Sequence, residues 1–223
     1  MNVWIVPTLG ISRSEVGRLQ AYLCPEEKLR ASKFIKNQDK TTFIVAHALK
    51  RKMLSIYTGC KDPKKLRFSR NKNGKPFLVG YELNFNLSHS HSVVACAVDE
   101  KSECGVDIEN YRNIKQLALL SNKVLTQKEQ ESQLHAEDAN KDFLDKWVIK
   151  EAVLKKSGEG LAGGLKNVCT VSLYDNDHKA IDKNRSVMAD KHIYQYKSSD
   201  YTLAICTQSD CDIKLKESQS YLL

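Results

Sequence analysis

The sequence predicts an α+β protein made of two similar halves, and three observations carry the prediction. A pattern of strand, polar turn and strand occurs at residues 84–98 and again at 192–206. Ala95 and Ala204 hold corresponding places in it, 109 positions apart in a chain of 223 residues. Charge divides between the same halves. Residues 1–103 hold 18 Lys and Arg against 9 Asp and Glu, and residues 104–223 hold 17 against 18. The halves are therefore expected at 1–103, basic, and at 104–223, richer in carboxylates, joined near residues 102–105.

The elements follow in chain order. Val3-Trp4-Ile5-Val6 is apolar, lacks a basic leader and is too short for a signal peptide, so it reads as a first strand. Residues 12–23 form a short helix opened by Ser12 or Ser14. A long helical stretch runs from Pro25 to Tyr57, broken near Lys36-Asn37 and closed by Thr58-Gly59. Its apolar stripe is Phe43, Ala46, Leu49, Leu54 and Tyr57, and Lys50-Arg51-Lys52 crowd its polar side. Short strands at 66–69 and 76–79 flank the turn Asn71-Lys72-Asn73-Gly74. Ser88 and His89 fall in a polar turn between strands at 84–87 and 93–98.

The second half opens with a strand, Cys104-Gly105-Val106-Asp107-Ile108-Glu109. A helix at 114–125 follows, then Thr126-Gln127-Lys128-Glu129 in capping-box spacing. A helix from Asp138 to Ser157 ends at Gly158-Glu159-Gly160. The tail from Gln208 is polar and expected to be peripheral.

Several classes fall away at this stage. No run approaches the roughly 20 apolar residues of a membrane span. The seven cysteines form no CxxC pair and no zinc spacing, which fits reduced thiols and a cytoplasmic protein. The basic half favours polyanions, whether nucleic acid, phosphorylated cofactors or acidic proteins. A nucleic-acid-binding protein is the main rival, but the sequence has no RNP, helix-turn-helix or zinc-finger pattern.

Three clusters carry chemistry. Asp107 and Glu109, two apart on a strand, project from one face, an arrangement tolerable at a bound cation but also commonplace on a solvated strand. Trp147, Glu151 and Lys155 step by four along one helix face. Glu151 and Lys155 fit either a surface ion pair or a carboxylate and ammonium aimed at a transferring phosphoryl group. Lys156 is turned about 100° away and is expected to tolerate alanine. Ser88 with His89, and Gly74 with Lys75 and Pro76, fit either exposed turns or grips on a phosphate.

Taken in order, Gly74-Lys75-Pro76, Asn86-Leu87-Ser88-His89-Ser90, Gly105-Val106-Asp107-Ile108-Glu109, Trp147-x-x-Lys150-Glu151-Ala152-x-x-Lys155 and Gly158-x-Gly160-Leu161 resemble the 4′-phosphopantetheinyl transferase family. The match is to its surfactin-synthetase-activating type, and it spans residues 24–165. The resemblance implies two pseudo-repeated α/β halves with the active site in the cleft between them. It implies transfer of phosphopantetheine from coenzyme A to a serine of an apo acyl or peptidyl carrier protein, with release of 3′,5′-ADP. The alternative within the family is an inactive homologue that still binds coenzyme A.

By the same resemblance, Asp107, Glu109 and Glu151 hold Mg²⁺, and Glu151 takes the serine proton directly or through water. Lys155 neutralises the leaving nucleotide, and Gly74, Lys75, Pro76, Ser88 and His89 hold the coenzyme. The protein is expected to be a monomer with no nucleic acid or membrane partner, and residues 117–125 are expected to meet the carrier. The chain departs from the family where Lys40 and Thr42 replace a familiar arginine. Arg30 is the best match for a 3′-phosphate contact.

Overall fold

The computed structural model describes residues 1–158, 164–171, 185–188 and 191–221. Contacts divide the chain into two compact units. One comprises Met1–Lys101 with the C-terminal segment from Asp212, and the other is Ser102–Cys211. The expected second half therefore ends at Cys211 instead of running to 223.

In the first unit, β1 (Asn2–Pro7) is followed by α1 (Arg13–Leu19), α2 (Pro25–Ser32) and α3 (Asn37–Thr58). Then come β2 (Phe68–Arg70), β3 (Pro76–Leu78), β4 (Asn84–His89) and β5 (Val93–Asp99). Ser12 caps α1 in a reciprocal capping box with Glu15, and Gly59, at φ 66°, takes the left-handed turn that ends α3. The buried face of α3, with Phe43, Ala46, Leu49, Met53 and Leu54, packs with Trp4, Val6, Val94, Cys96 and Val98 of the sheet. Each buried Val, Leu, Phe or Met among them contributes about 1.5–3 kcal/mol relative to exposure, so the sheet and α3 are the unit's core.

The tail is not peripheral. Lys214–Glu217, which becomes β10, pairs in parallel with β1 and completes a sheet in the order β10-β1-β5-β4. The cause is an edge: β1 pairs with β5 on one side only, and backbone groups on its other side need partners. Ser218 N–H donates to Ile5 O at 3.1 Å, and the Gln219 side chain donates to Pro7 O and Leu9 O at 3.1 and 2.8 Å.

The second unit carries β6 (Cys104–Asn110), α4 (Leu117–Val124), α5 (Gln127–Gln133) and α6 (Ala139–Ser157). Its other strands are β7 (Arg185–Met188), β8 (Lys191–Lys197) and β9 (Tyr201–Thr207), in an antiparallel sheet ordered β6-β9-β8-β7. Val148, Ile149, Ala152 and Val153 of α6 pack against Ile193, Ala204 and Cys206. The Asp138 side chain caps α6 by accepting from Asn140 and Lys141 N–H, and Gly158, at φ 75°, ends it.

The two units repeat one topology. A strand, a long helix and a hairpin follow in turn, and the second hairpin strand pairs with the first strand of the unit (β1 with β5, β6 with β9). The sequence register of this repeat was one residue out. Cys96 faces α3 and Cys206 faces α6, whereas Ala95 lies on the opposite sheet face from the one that Ala204 occupies. The repeat is thus 108 residues along the hairpin, with His89 paired to Val94 as Lys197 is to Thr202, and a one-residue slip turns every side chain to the other face.

Ser88 and His89 also differ from expectation. They are the last residues of β4, opposite Ala95 and Val94, because the ladder runs on to the turn at residues 90–92. Lys50 and Arg51, expected on the polar side of α3, are buried.

Candidate active site

Strand β6 and helix α6 build the central cluster. Along β6, Val106 and Ile108 are fully buried on one face, and Asp107 and Glu109 alternate to the other. Asp107 is 4% exposed, and its Oδ1 accepts from Lys155 Nζ at 2.5 Å. Lys155 therefore reaches across from α6 to the strand, more than a surface pair within its own helix would require. Glu109 accepts from Arg112 Nη1 at 2.6 Å.

Glu151 stands one helical turn before Lys155. Its Oε1 is buried and receives no hydrogen bond. Burial and then the Asp107 charge raise its carboxyl above the usual range, Lys155 opposes them, and Glu109 adds to the rise. These couplings place all three carboxylates and the ammonium in one electrostatic patch. Among the described residues, no three His, Cys, Asp or Glu side chains close on a common point as a metal cage would.

Next to Glu109 lies a cleft of about 230 Å³, lined by Arg112, Ile114, Leu120, Phe143 and Trp147 among others. Trp147 stacks on Phe143 with ring centres 5.9 Å apart, which fixes one wall. Tyr111, just past β6, is tied down by its O–H to Asp145 Oδ1 at 2.8 Å and its N–H to Asp200 O at 2.9 Å.

Lys156 corrects an expectation. It is 6% exposed and its ammonium donates to Gln208 Oε1, so rotation from Lys155 turns it into the unit and away from solvent. Of the glycines closing this motif, Gly158 is described, and Gly160 and Leu161 lie outside the described residues.

The remaining candidates belong to the first unit. Gly74, at φ 84°, sits in the β2–β3 turn, where Asn71 Oδ1 accepts from Asn73 and Lys75 N–H, both at 3.0 Å. Lys75 is half-buried and Pro76 begins β3. Ser88 is buried and His89 exposed. Arg30 is exposed on α2, its guanidinium 5.2 Å from the Phe43 ring centre. Thr42, which stands where an arginine was expected, is buried and donates to His91 O at 3.0 Å. Gln38 donates to the same carbonyl and to Thr8, so these residues clasp the turn that follows His89.

Two buried charge networks were not foreseen. Glu27 accepts from His47 Nδ1, Lys50 and Arg51 Nε at 2.7, 3.1 and 2.5 Å. Burial raises its carboxyl, but the His47 bond, the Lys50 charge and the Arg51 bond outweigh it and hold the group well below the usual range. Glu129 and Lys150, both fully buried, pair at 2.8 Å. Glu129 was legible only as the capping-box residue, which it also is.

Comparison with known proteins agrees with this geometry. Residues 11–101 match the family described as 4′-phosphopantetheinyl transferase, N-terminal, and residues 103–206 match the 4′-phosphopantetheinyl transferase superfamily. The division between the matches falls at the boundary between the two units. The chain is 32% identical to the 4′-phosphopantetheinyl transferase HetI of Nostoc sp. over 168 residues, 73% of this chain and 70% of that protein. It is 30% identical to the 4′-phosphopantetheinyl transferase Sfp of Bacillus subtilis over 156 residues, 68% and 67% of the two chains. A second Bacillus subtilis 4′-phosphopantetheinyl transferase aligns at 28% identity over 95% of each chain. With the ordered motifs, the repeated topology and these relatives in agreement, the chain belongs to the 4′-phosphopantetheinyl transferase superfamily and is an enzyme of that kind.

Proposed function

We propose that the enzyme transfers 4′-phosphopantetheine from coenzyme A to a serine hydroxyl of an acyl or peptidyl carrier protein, releasing 3′,5′-ADP, and that it uses Mg²⁺. The observation that carries this reading is the patch of Asp107, Glu109, Glu151 and Lys155 on facing elements of one unit. The donor set suits a hard divalent cation. It offers carboxylate oxygens only, one of them, Glu151 Oε1, buried without a hydrogen bond. Asp107, Glu109 and Glu151 would hold Mg²⁺, with substrate phosphates and water supplying its other ligands. When bound, Mg²⁺ would offset the negative charge of the diphosphate.

In the reaction, the serine oxygen forms a bond to phosphorus as the phosphorus–oxygen bond to 3′,5′-ADP breaks. Glu151, whose raised proton affinity suits a base, accepts the serine proton. Lys155 meets the charge that grows on the departing nucleotide, a form of catalysis by positioning and charge stabilisation. Arg30, Gly74, Lys75, Pro76, Ser88 and His89 bind the coenzyme, with Arg30 and His89 toward its 3′-phosphate. The cleft beside Glu109 and the exposed Leu119 and Leu120 of α4 are the surface offered to the carrier. The protein acts as a cytoplasmic monomer. No helix among the described residues is long and apolar enough to cross a membrane.

The test is incubation with coenzyme A, Mg²⁺ and a panel of apo-carriers, followed by intact-mass analysis. Addition of one phosphopantetheine group to a carrier, abolished by chelator, is the expected result. Coenzyme A binding without transfer to any carrier would leave an inactive homologue. Salt-sensitive binding of DNA or RNA, with none of coenzyme A, would refute the reading.

A further inference from the structure

We propose that Gly105 is a positioning residue for the reaction: its missing side chain lets the turn of α6 that bears Glu151 and Lys155 settle on the strand that bears Asp107 and Glu109. The inference rests on the reading of those four residues as the reacting cluster.

Gly105, Asp107 and Glu109 alternate along β6 and so share one face. A Cβ built on Gly105 would stand 2.0 Å from Ala152 O and 2.5 Å from Lys156 N. Those two atoms are joined by helical geometry, four residues apart. Each lies one residue after a member of the cluster, Glu151 and Lys155. The close approach thus falls on the turn that holds both.

The obstacle would be backbone, which cannot swing aside as a side-chain tip can. To bring the nearest contact from 2.0 Å to 3.0 Å, the two elements must part by at least 1.0 Å. Gly105 does not have a left-handed φ, so backbone freedom is not the reason for glycine here. The reason is proximity. A displacement of about 1 Å is enough to cost roughly 100-fold in a reaction that depends on alignment.

The experiment compares Gly105→Ala with Asp107→Ala and Ile108→Val in the full-length enzyme. Folding is followed by circular dichroism, steady-state kinetics are measured with coenzyme A and an apo-carrier, and Mn²⁺ binding in the presence of coenzyme A is followed by electron paramagnetic resonance. Gly105→Ala should fold, lose about 100-fold in kcat and keep its KM for coenzyme A near that of the wild type. Its Mn²⁺ affinity should fall by about 10- to 100-fold, the range for disturbed ligand orientation. Ile108→Val trims a buried residue on the opposite face of the same strand, and should lose some stability with kcat and Mn²⁺ affinity intact.

If Asp107→Ala is inactive while a folded Gly105→Ala matches the wild type in kcat and Mn²⁺ affinity, the positioning role is refuted and the site reading stands. If Asp107→Ala itself remains active, the site reading fails. Losses in Ile108→Val that track its stability, as those of Gly105→Ala do, would reduce Gly105 to a packing residue. Should Gly105→Ala not fold, Ala204→Val decides. Ala204 lies opposite Asp107 and packs against α6, so a larger side chain there pushes on the same helix. Wild-type kcat and Mn²⁺ affinity in a folded Ala204→Val would overturn the proposal, and loss of both would support it.

Discussion

Lys150 and Glu151 are neighbours in one motif, yet their surroundings assign them opposite tasks, and Lys150 can be tested by stability alone. The Lys150 ammonium is fully buried, 2.8 Å from Glu129 Oε2, and also donates to Leu165 O at 3.0 Å and to Val168 O. Glu129 in turn accepts from Thr126 N and Oγ1 at 2.7 and 3.0 Å, and from Thr170 N and Oγ1 at 2.7 and 2.6 Å. The pair therefore ties α6 to the start of α5 and to residues 165–170.

Breaking a buried pair by removing one partner costs about 3–5 kcal/mol. The two deletions are unequal. In Lys150→Met a similar apolar volume fills the space and Glu129 keeps four donors, so the loss should be near 3 kcal/mol. In Glu129→Ala the ammonium stays behind, two backbone N–H groups lose their acceptor and a cavity opens, so the loss should approach about 5 kcal/mol. At about 2–4 °C per kcal/mol for a chain of this size, the melting temperature should fall by roughly 6–20 °C. Urea unfolding of Lys150→Met, Glu129→Ala and Glu129→Leu, and of Glu129→Leu with Lys150→Met, provides the assay, the Leu and Met variants closing a double-mutant cycle. The double variant should be more stable than Glu129→Ala alone, because no charge is left unpaired. Additivity within about 0.5 kcal/mol would show the residues to be independent and refute the argument.

Other perturbations reach different parts of the molecule. Asp107→Ala should abolish transfer while leaving the circular dichroism spectrum and melting temperature close to the wild type, since Val106 and Ile108 supply the strand's core contacts. A melting temperature that drops with activity would return Asp107 to a structural role. Glu27 holds three basic partners with its carboxyl below the ordinary range. Its contribution is therefore complete above the unfolded value of about 4.3 and is lost as pH falls through the lower folded value. Glu27→Gln should weaken the protein at neutral pH and flatten this acid-side decline, and an unchanged slope in pH-dependent urea melts would count against the network. Ending the chain at Cys211 removes β10 and the bonds to Ile5, Pro7 and Leu9, each worth about 1 kcal/mol net. Hydrogen exchange should then quicken in β1 and not in β9, and equal protection with and without the tail would contradict the pairing.

Local rules made most elements legible. Thr126 with Glu129 forms the capping box its spacing announced, Ser12 is the one of the two expected serines that caps α1, and Gly59 and Gly158 end their helices with positive φ. Asp107, Glu109, Glu151 and Lys155 do gather in one patch. What escaped was long-range. Lys50 and Arg51 look like surface residues until Glu27, more than 20 positions earlier, is brought under them. Helix rotation alone turns Lys156 away from Lys155, but it does not say which side the sheet lies on. The tail's strand needed the exposed edge of β1, which no window around residues 214–217 contains.

The two copies of the repeat differ most where the long helix meets the first strand. With the two hairpin ladders superimposed, Trp4 and Val6 of β1 correspond to Asp107 and Glu109 of β6, opposite Cys96 and Val94 in one unit and Ala204 and Thr202 in the other. The first unit fills this place with an indole, 5% exposed, and α3 packs over β5. The second sets carboxylates there, with Gly105 next along the same face, and α6 packs over β6 as well as β9. An apolar pair in one copy has become a pair of carboxylates in the other. For stability alone the exchange is unfavourable, since it gives up a large apolar side chain and buries a charge beside Glu151. It is coherent with the proposed site, in which a helix carboxylate and ammonium come down onto the strand carboxylates. The copy that departs from ordinary core packing is the copy that holds the proposed reacting cluster.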